Sequence, residues 1–240
     1  MKSLNFIGMK KIKLLLVIAI FTGLFSACTT IKDDNYVDPI ISEVSPAFKA
    51  YTVFGPNSYW IYKNQLNDAT DSVIVTEVFT QRRFHSVQPN SPGFYYNAYE
   101  LVFSSGATAL TRGEITGGYA STTTDTLPEN YRIYFNNGRY FSILTPKYPM
   151  GQEQLLGINE GNYTNVAFHR NFELDGKSYF DVYETIVKDY HDGNDTVYMR
   201  FFLAKDAGII RYIKESSEEN VDWVLTNYDL KPFVSDTLLN

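Results

Sequence analysis

The sequence holds one cysteine in 240 residues, Cys28, so no disulfide within the chain is open to it. Its three histidines, His85, His169 and His191, stand far apart. None lies in a His-Glu-x-x-His motif or a close pair with metal-ligand spacing, and all three read as structural. There is no Gly-x-Ser-x-Gly nucleophile elbow. Beyond its N-terminal lysines the chain lacks a basic run longer than Arg82-Arg83, and its formal charge is -6. Nucleic-acid affinity comes mostly from lysine and arginine neutralising phosphates, so this balance argues against a nucleic-acid partner. No stretch carries a long 3.6-residue periodicity, and no internal repeat is visible.

What is present begins with the N-terminus. Lys10, Lys11 and Lys13 precede an apolar run from Leu14 to Phe25, which ends in the small residues Ser26 and Ala27. A spanning helix needs about 20 residues, and this run is shorter. A positive region, a short apolar region and a small-residue cleavage site make a secretory signal peptide over residues 1–27. Phe25-Ser26-Ala27-Cys28 resembles the lipobox of bacterial lipoproteins, with Phe25 departing from the usual leucine. The resemblance implies that Cys28 carries the lipid, which excludes it as a thiol nucleophile. It also implies stable anchoring, because several acyl chains hold where one binds only marginally. Lys32-Asp33-Asp34 resembles the acidic export signal of surface lipoproteins in the Bacteroidota, and also reads as a solvated linker. The expectation is an outer membrane lipoprotein, at the cell surface or on the periplasmic face.

Removing residues 1–27 takes away four lysines and no acid, which moves the formal charge from -6 to -10. The remaining length is enough for a real core without disulfides. With 19 Tyr and 17 Phe against 2 Trp, the composition favours strands. Thr29 to Ser45 reads as a tether, giving residues 28–45 as lipidated cysteine and linker and 46–240 as one β-rich domain. Apolar-rich runs between turn signals read as strands: Ser58–Tyr62, Asp71–Val87, Phe94–Ser104, Tyr163–Leu174, Lys177–Asp189, Thr196–Lys205, Ile209–Glu215 and Val221–Leu230. Tyr131–Phe135 and Arg139–Leu144 flank Asn136-Asn137-Gly138, a hairpin with an Asn-Gly turn of the primed kind. Gly113 to Asn130 is the least strand-like section, and Pro146 to Gly161 reads as a connection or short helix. In the Lys177–Asp189 run, Phe180, Val182 and Ile186 share one face and Tyr179, Asp181 and Tyr183 the other. The fold expected is mainly β: an antiparallel curved sheet, half-barrel or sandwich-like.

Tyr59-Trp60-Ile61-Tyr62, Tyr163-Thr164-Asn165-Val166, Tyr179-Phe180-Asp181-Val182, the run from Phe202 to Arg211, and Asp222-Trp223-Val224-Leu225 resemble a group of uncharacterised Bacteroidota lipoproteins. The resemblance implies an antiparallel curved sheet like the open half-barrel of periplasmic lipoprotein carriers, and it implies no activity.

Candidate chemistry is sparse. Asp189, Asp192, Asn194 and Asp195 crowd oxygen ligands into one loop, but without EF-hand spacing or a closing glutamate. Aspartate and asparagine are also what tight turns use, so no metal and no cofactor is expected. Glu100, Glu114, Asp181 and Glu184 offer carboxylate pairs of the kind a glycosidase uses. In Phe94–Tyr99 both faces carry rings. Tyr95 and Tyr99 are expected on the less buried face, with Trp60 and Tyr183 near them, lining a concavity for a ligand. Asp71-Ser72-Val73, Asp125-Thr126-Leu127, Asp195-Thr196-Val197 and Asp236-Thr237-Leu238 resemble the O-glycosylation motif of exported Bacteroidota proteins. That resemblance implies Ser72, Thr126, Thr196 and Thr237 as acceptors, while Asp-Thr also ends turns before strands. The function expected is a membrane-anchored, non-enzymatic binding or assembly module for a glycan, lipid or protein partner. The alternative is a glycan-acting hydrolase.

Overall fold

Alternating apolar residues between turn signals produce strands almost throughout. The computed structural model describes residues 41–86, 93–120, 126–127, 129–156, 161–192 and 195–234. In chain order the elements are β1 (Ile41–Ser42), α1 (Pro46–Thr52), β2 (Tyr59–Asn64), β3 (Thr70–His85), β4 (Phe94–Ser104), β5 (Leu110–Thr116), β6 (Tyr119–Ala120), β7 (Thr126–Leu127), β8 (Asn130–Phe135) and β9 (Tyr140–Leu144). They continue with β10 (Glu153–Leu155), β11 (Asn162–Leu174), β12 (Lys177–Asp192), β13 (Asp195–Ala204), β14 (Gly208–Glu215) and β15 (Asn220–Asp229).

One sheet of 13 strands holds nearly all of them, in the order β10-β11-β12-β13-β14-β15-β2-β3-β4-β5-β8-β9, with β1 beside β4. Neighbours are antiparallel except β1, whose Ile41 and Ser42 pair in parallel with Tyr95 and Tyr96. The sheet therefore begins inside the stretch that the sequence presents as tether. β6 and β7 form a separate small pair.

The sheet curls but does not close into a barrel. Its two ends approach through side chains rather than a strand ladder. Ser142 of β9 donates its N–H to the Tyr163 hydroxyl at 3.4 Å, and the Asn165 side-chain amide donates to the Thr145 carbonyl at 3.1 Å. Asn165 also accepts from the Thr185 hydroxyl at 2.8 Å, and its backbone carbonyl accepts from Gly151 at 2.8 Å. Around this seam and inside the curl lies the core: Trp60, Tyr62, Val75, Tyr99, Leu101, Ile115, Ile133, Phe141, Ile143, Tyr163, Met199, Phe201, Tyr212, Trp223 and Leu225 are all buried. Edge-on ring contacts such as Tyr62–Tyr212 and Phe135–Phe141 are the arrangement aromatic quadrupoles prefer.

Ser45 and Pro46 start α1. The Ser45 hydroxyl accepts from the Phe48 N–H at 3.3 Å, and proline fits the first helical turn. Phe48 and Tyr51 sink into the core, and Asp206 in the β13–β14 turn donates its N–H to the Ala50 carbonyl at 2.9 Å. In the same turn Gly208 takes φ 78°, where a Cβ would stand 3.3 Å from Phe54 and Trp60.

Two expectations about local geometry need correction. In the β8–β9 turn only Gly138 takes positive φ, so this is a longer loop closed by one left-handed glycine rather than a two-residue primed turn. The primed geometry belongs to Asp175-Gly176 between β11 and β12, where both φ values are positive, at 50° and 71°. The face assignment in β12 also fails. Asp181 and Asp189 adopt φ 51° and 55° inside the strand, which breaks the alternation. Tyr179 and Val182 are consequently both buried, while Phe180 is 62% exposed.

The end of the β11–β12 hairpin folds back over β13 to β15. Phe201 and Phe202 are adjacent in β13 and lie on opposite faces, yet both are buried. Phe172 of β11 covers Phe202, with ring centroids 5.3 Å apart, and the Lys177 ammonium bonds to the Thr226 carbonyl.

Candidate functional site: a sheet face of arginine and tyrosine

β3, β4, β5, β8 and β9 lie side by side, and their register assembles a polar plate. Glu100 of β4 stands directly opposite Glu114 of β5, a like-charge pair that would be destabilising alone. Three arginines resolve it. Arg83 reaches Glu114 at 2.9 Å and Glu100 at 3.6 Å, Arg112 reaches Glu100 at 3.4 Å, and Arg132 reaches Glu114 at 3.9 Å. The guanidinium groups also stack on tyrosines. Arg112 sits 3.8 Å above the Tyr134 ring and Arg132 5.3 Å from Tyr140, while the two tyrosine rings are 5.3 Å apart. Planar cations over ring faces gain electrostatically and hold each other rigid.

A second polar group lies on β11 to β15. Glu184 is buried, and accepts from Arg200 at 2.8 and 2.6 Å and faces His169 at 3.3 Å. Arg211 forms a two-pronged pair with Asp222 at 2.8 and 2.7 Å, the planar fork geometry that favours arginine over lysine.

The carboxylates that a glycosidase reading draws on do not gather. Glu100 and Glu114 are occupied by arginines on one sheet face, Glu184 belongs to the other group, and Asp181 is a left-handed strand residue. No group of three or more potential metal ligands occurs among the described residues. Of the loop from Asp189 to Asp195, residues 193–194 lie outside them, and Asp195 accepts from the Ser217 N–H at 3.2 Å.

The aromatic site expected around Phe94–Tyr99 is overturned in its key residue. Tyr99 is 6% exposed, packed edge-on against Phe233 at 5.8 Å with the Lys49 ammonium 4.9 Å from its ring. Trp60 is also core, donating its indole N–H to Ala207 at 2.7 Å. Tyr95 and Tyr183 are half-buried, and each of the four packs with a different ring: Tyr95 with Phe84, Tyr183 with Tyr51 and Phe168, Trp60 with Phe54. Rings on both faces of β4 are needed because its inner face lines the core while Phe94 on the other packs against His85 and Tyr96. The space beside Trp60 is a void of about 20 Å³. A second cavity of about 60 Å³ opens between Thr108, Phe141, Tyr212 and Trp223 under Arg139 and Lys214. Small-molecule sites are typically about 300 Å³ or more, so neither of these two holds an organic ligand. A larger concavity of about 370 Å³ lies open at the surface between Leu66, Ile213, Lys214, Asn220 and Asp222.

Cys28, Lys32, Asp33, Asp34 and Thr237 lie outside the described residues, and only the backbone of Thr126 is described. Ser72 and Thr196 are exposed on β3 and β13. The aspartate before each serves the fold: the Asp71 carboxylate accepts from Gly106 N–H, Thr108 N–H and the Thr108 hydroxyl at 2.6 to 3.1 Å, and Asp195 holds Ser217. The plate of arginine and tyrosine was not foreseen. Its signal was in the alternation of Arg112-Gly113-Glu114 and Arg132-Ile133-Tyr134, legible only once β5 is known to pair with β8. No helix among the described residues is long and apolar enough to cross a membrane. No protein-family model, curated protein or solved structure matches this chain.

Proposed function

We propose that this protein is a lipid-anchored, non-catalytic assembly module that meets a protein partner through its arginine–tyrosine plate, with Cys28 carrying the anchor and Lys32-Asp33-Asp34 directing it to the cell surface. The observation that carries the reading is the stacked set Arg112–Tyr134 and Arg132–Tyr140 on a half-exposed sheet face. Tyrosine and arginine are the residue types enriched at protein interfaces, and they form the hot spots there. Here their rotamers are held in place before any partner arrives, which lowers the entropy cost of binding. The cavities that reach into the core are small, and the larger concavity by Leu66 and Asp222 is open rather than enclosing, which favours a macromolecule over an enclosed small ligand. The N-terminal sequence supports anchoring rather than secretion, since the lone cysteine follows a short apolar run and small residues.

Cross-linking in intact cells followed by affinity purification tests it. Wild type should recover a defined protein partner, and the double variant Arg112→Ala with Tyr134→Ala should lose it while remaining folded by circular dichroism. The same partner recovered undiminished from the double variant sinks the assignment of the plate. For the anchor, Cys28→Ala should remove the lipid mass and release the protein from membranes.

A further inference from the structure

Along β3 the sheet has an uncovered edge. β2 pairs with β3 only from Thr70 to Ile74, and Val75 is bonded to Asn57 and Ser58. From Thr76 to His85 the only strand beside β3, among the described residues, is β4. Glu77, Phe79, Gln81, Arg82 and Phe84 are exposed along this stretch, Phe79 by 45% and Phe84 by 54%. A strand edge offers a row of N–H and C=O groups to any other strand. Proteins commonly block such edges with proline, lysine or a cover. Between Glu77 and His85 there is neither proline nor lysine, and the one register shift of the β3–β4 ladder, between Val75 and Glu77, lies at the start of the stretch.

The charge order along the edge is self-complementary. Phe79, Gln81 and Arg83 pair with Glu100, Ala98 and Tyr96, which places them with Glu77 on the face of the arginine–tyrosine plate. We propose that β3 pairs antiparallel with β3 of a second copy, about a two-fold axis through Thr80. Such an axis stands perpendicular to the sheet and keeps residues of one face together. It sets Glu77 opposite Arg83 of the partner subunit and Phe79 opposite Gln81 of the partner subunit. The two Phe79 rings become diagonal neighbours, close enough for aromatic contact. Glu77 has no ion pair among the described residues. A strand from another protein would satisfy the backbone equally, but only a second copy meets both charges through the same residues. The dimer rests on neither the lipid anchor nor the outside partner proposed above.

Thr80 opposite its own copy gives the test. Directly opposite residues in an antiparallel pair bring their Cβ atoms to about 5 Å, from which a small adjustment allows a disulfide. In the full-length protein under mild oxidation, Thr80→Cys should give a reducible dimer several-fold above wild type. It should likewise exceed Leu66→Cys, an exposed turn position away from the edge. Sedimentation of the detergent-solubilised wild type should give twice the monomer mass, and Phe79→Lys should shift it to the monomer. A Thr80→Cys yield no greater than Leu66→Cys, a disulfide from Thr80→Cys to a different protein, or a monomeric wild type would each overturn the proposal.

Discussion

The side-chain amide of Asn165 bonds to the main-chain carbonyl of Thr145 at 3.1 Å, joining the two ends of the sheet where a further pair of strands would close a barrel. Both groups are fully buried, and the other end of the Asn165 amide accepts from Thr185. Removing the amide therefore strands the Thr185 hydroxyl away from water, while the Thr145 carbonyl keeps the Tyr148 N–H at 3.1 Å. Asn165→Ala should cost about 1–3 kcal/mol, the cost of one unsatisfied buried group. Urea unfolding measures it, and a loss under about 0.5 kcal/mol, the level of surface substitutions, would mean the seam is held by packing alone.

Tyr99 separates a core ring from a binding ring. With its ring against Phe233 and nearly no exposure, Tyr99→Ala should lower stability by about 3–5 kcal/mol, as buried aromatic truncations do. A melting temperature close to wild type would place the ring at the surface instead.

Asp71 and Ser72 should behave oppositely despite being adjacent. Asp71→Ala removes the acceptor for Gly106 and Thr108, and should speed amide exchange in that loop with a loss of about 1–3 kcal/mol. Ser72→Ala, on the exposed face, should stay within about 0.5 kcal/mol. In the organism that makes this protein, Ser72→Ala and Thr196→Ala should each reduce the protein's mass by one glycan if the Asp-Ser/Thr motifs are used. Equal masses would leave the aspartates as loop anchors alone.

Alkali should unfold the domain through its phenols. Burial raises Tyr179 and Tyr148 from the ordinary 10.0 to about 12, and raises Tyr62 and Tyr212 well above it. A raised folded value means that the folded state holds its proton more tightly than the unfolded chain. The corresponding stability is complete below 10.0, and is lost as pH rises toward 12 and beyond. Phenolate absorbance should lag for these residues and then rise together with loss of the β signal in circular dichroism. Complete phenol ionisation near the ordinary value, with the sheet intact, would contradict the burial.

The strands from Tyr163 to the C-terminus were legible because two-residue alternation and turn residues such as Asp175-Gly176 are local. β5 was obscured by Gly113, whose missing side chain leaves room for the Tyr131 and Phe103 rings and weakens the apolar pattern. α1 is too short to show a period, and only Ser45-Pro46 hints at it. The faces of β12 were misread because two aspartates take a left-handed conformation within a strand, where alternation assumes extended backbone. Tyr99 was misplaced for a different reason: rings on both sides of β4 look like a surplus until helix and tail residues are seen to cover one of them. The plate depends on register between strands, which no single segment encodes.

The order of strands also has a consequence for how the molecule comes into being. β2, the first long strand, is flanked by β15, the last, and the β2–β15 ladder lies in the middle of the sheet rather than at an edge. Everything from β2 to β9 and everything from β10 to β15 can pair with near neighbours, but the two ladders join only where Trp60 pairs with Tyr228 and Asn64 with Trp223. Joining residues so far apart in sequence is entropically slow, so the chain stays unfinished for as long as its end is unmade. A nascent chain short of Asp229 is two half-sheets with open flanks and no centre. Such late completion would suit the exported, anchored protein proposed above, since a chain crosses a membrane before it takes its shape.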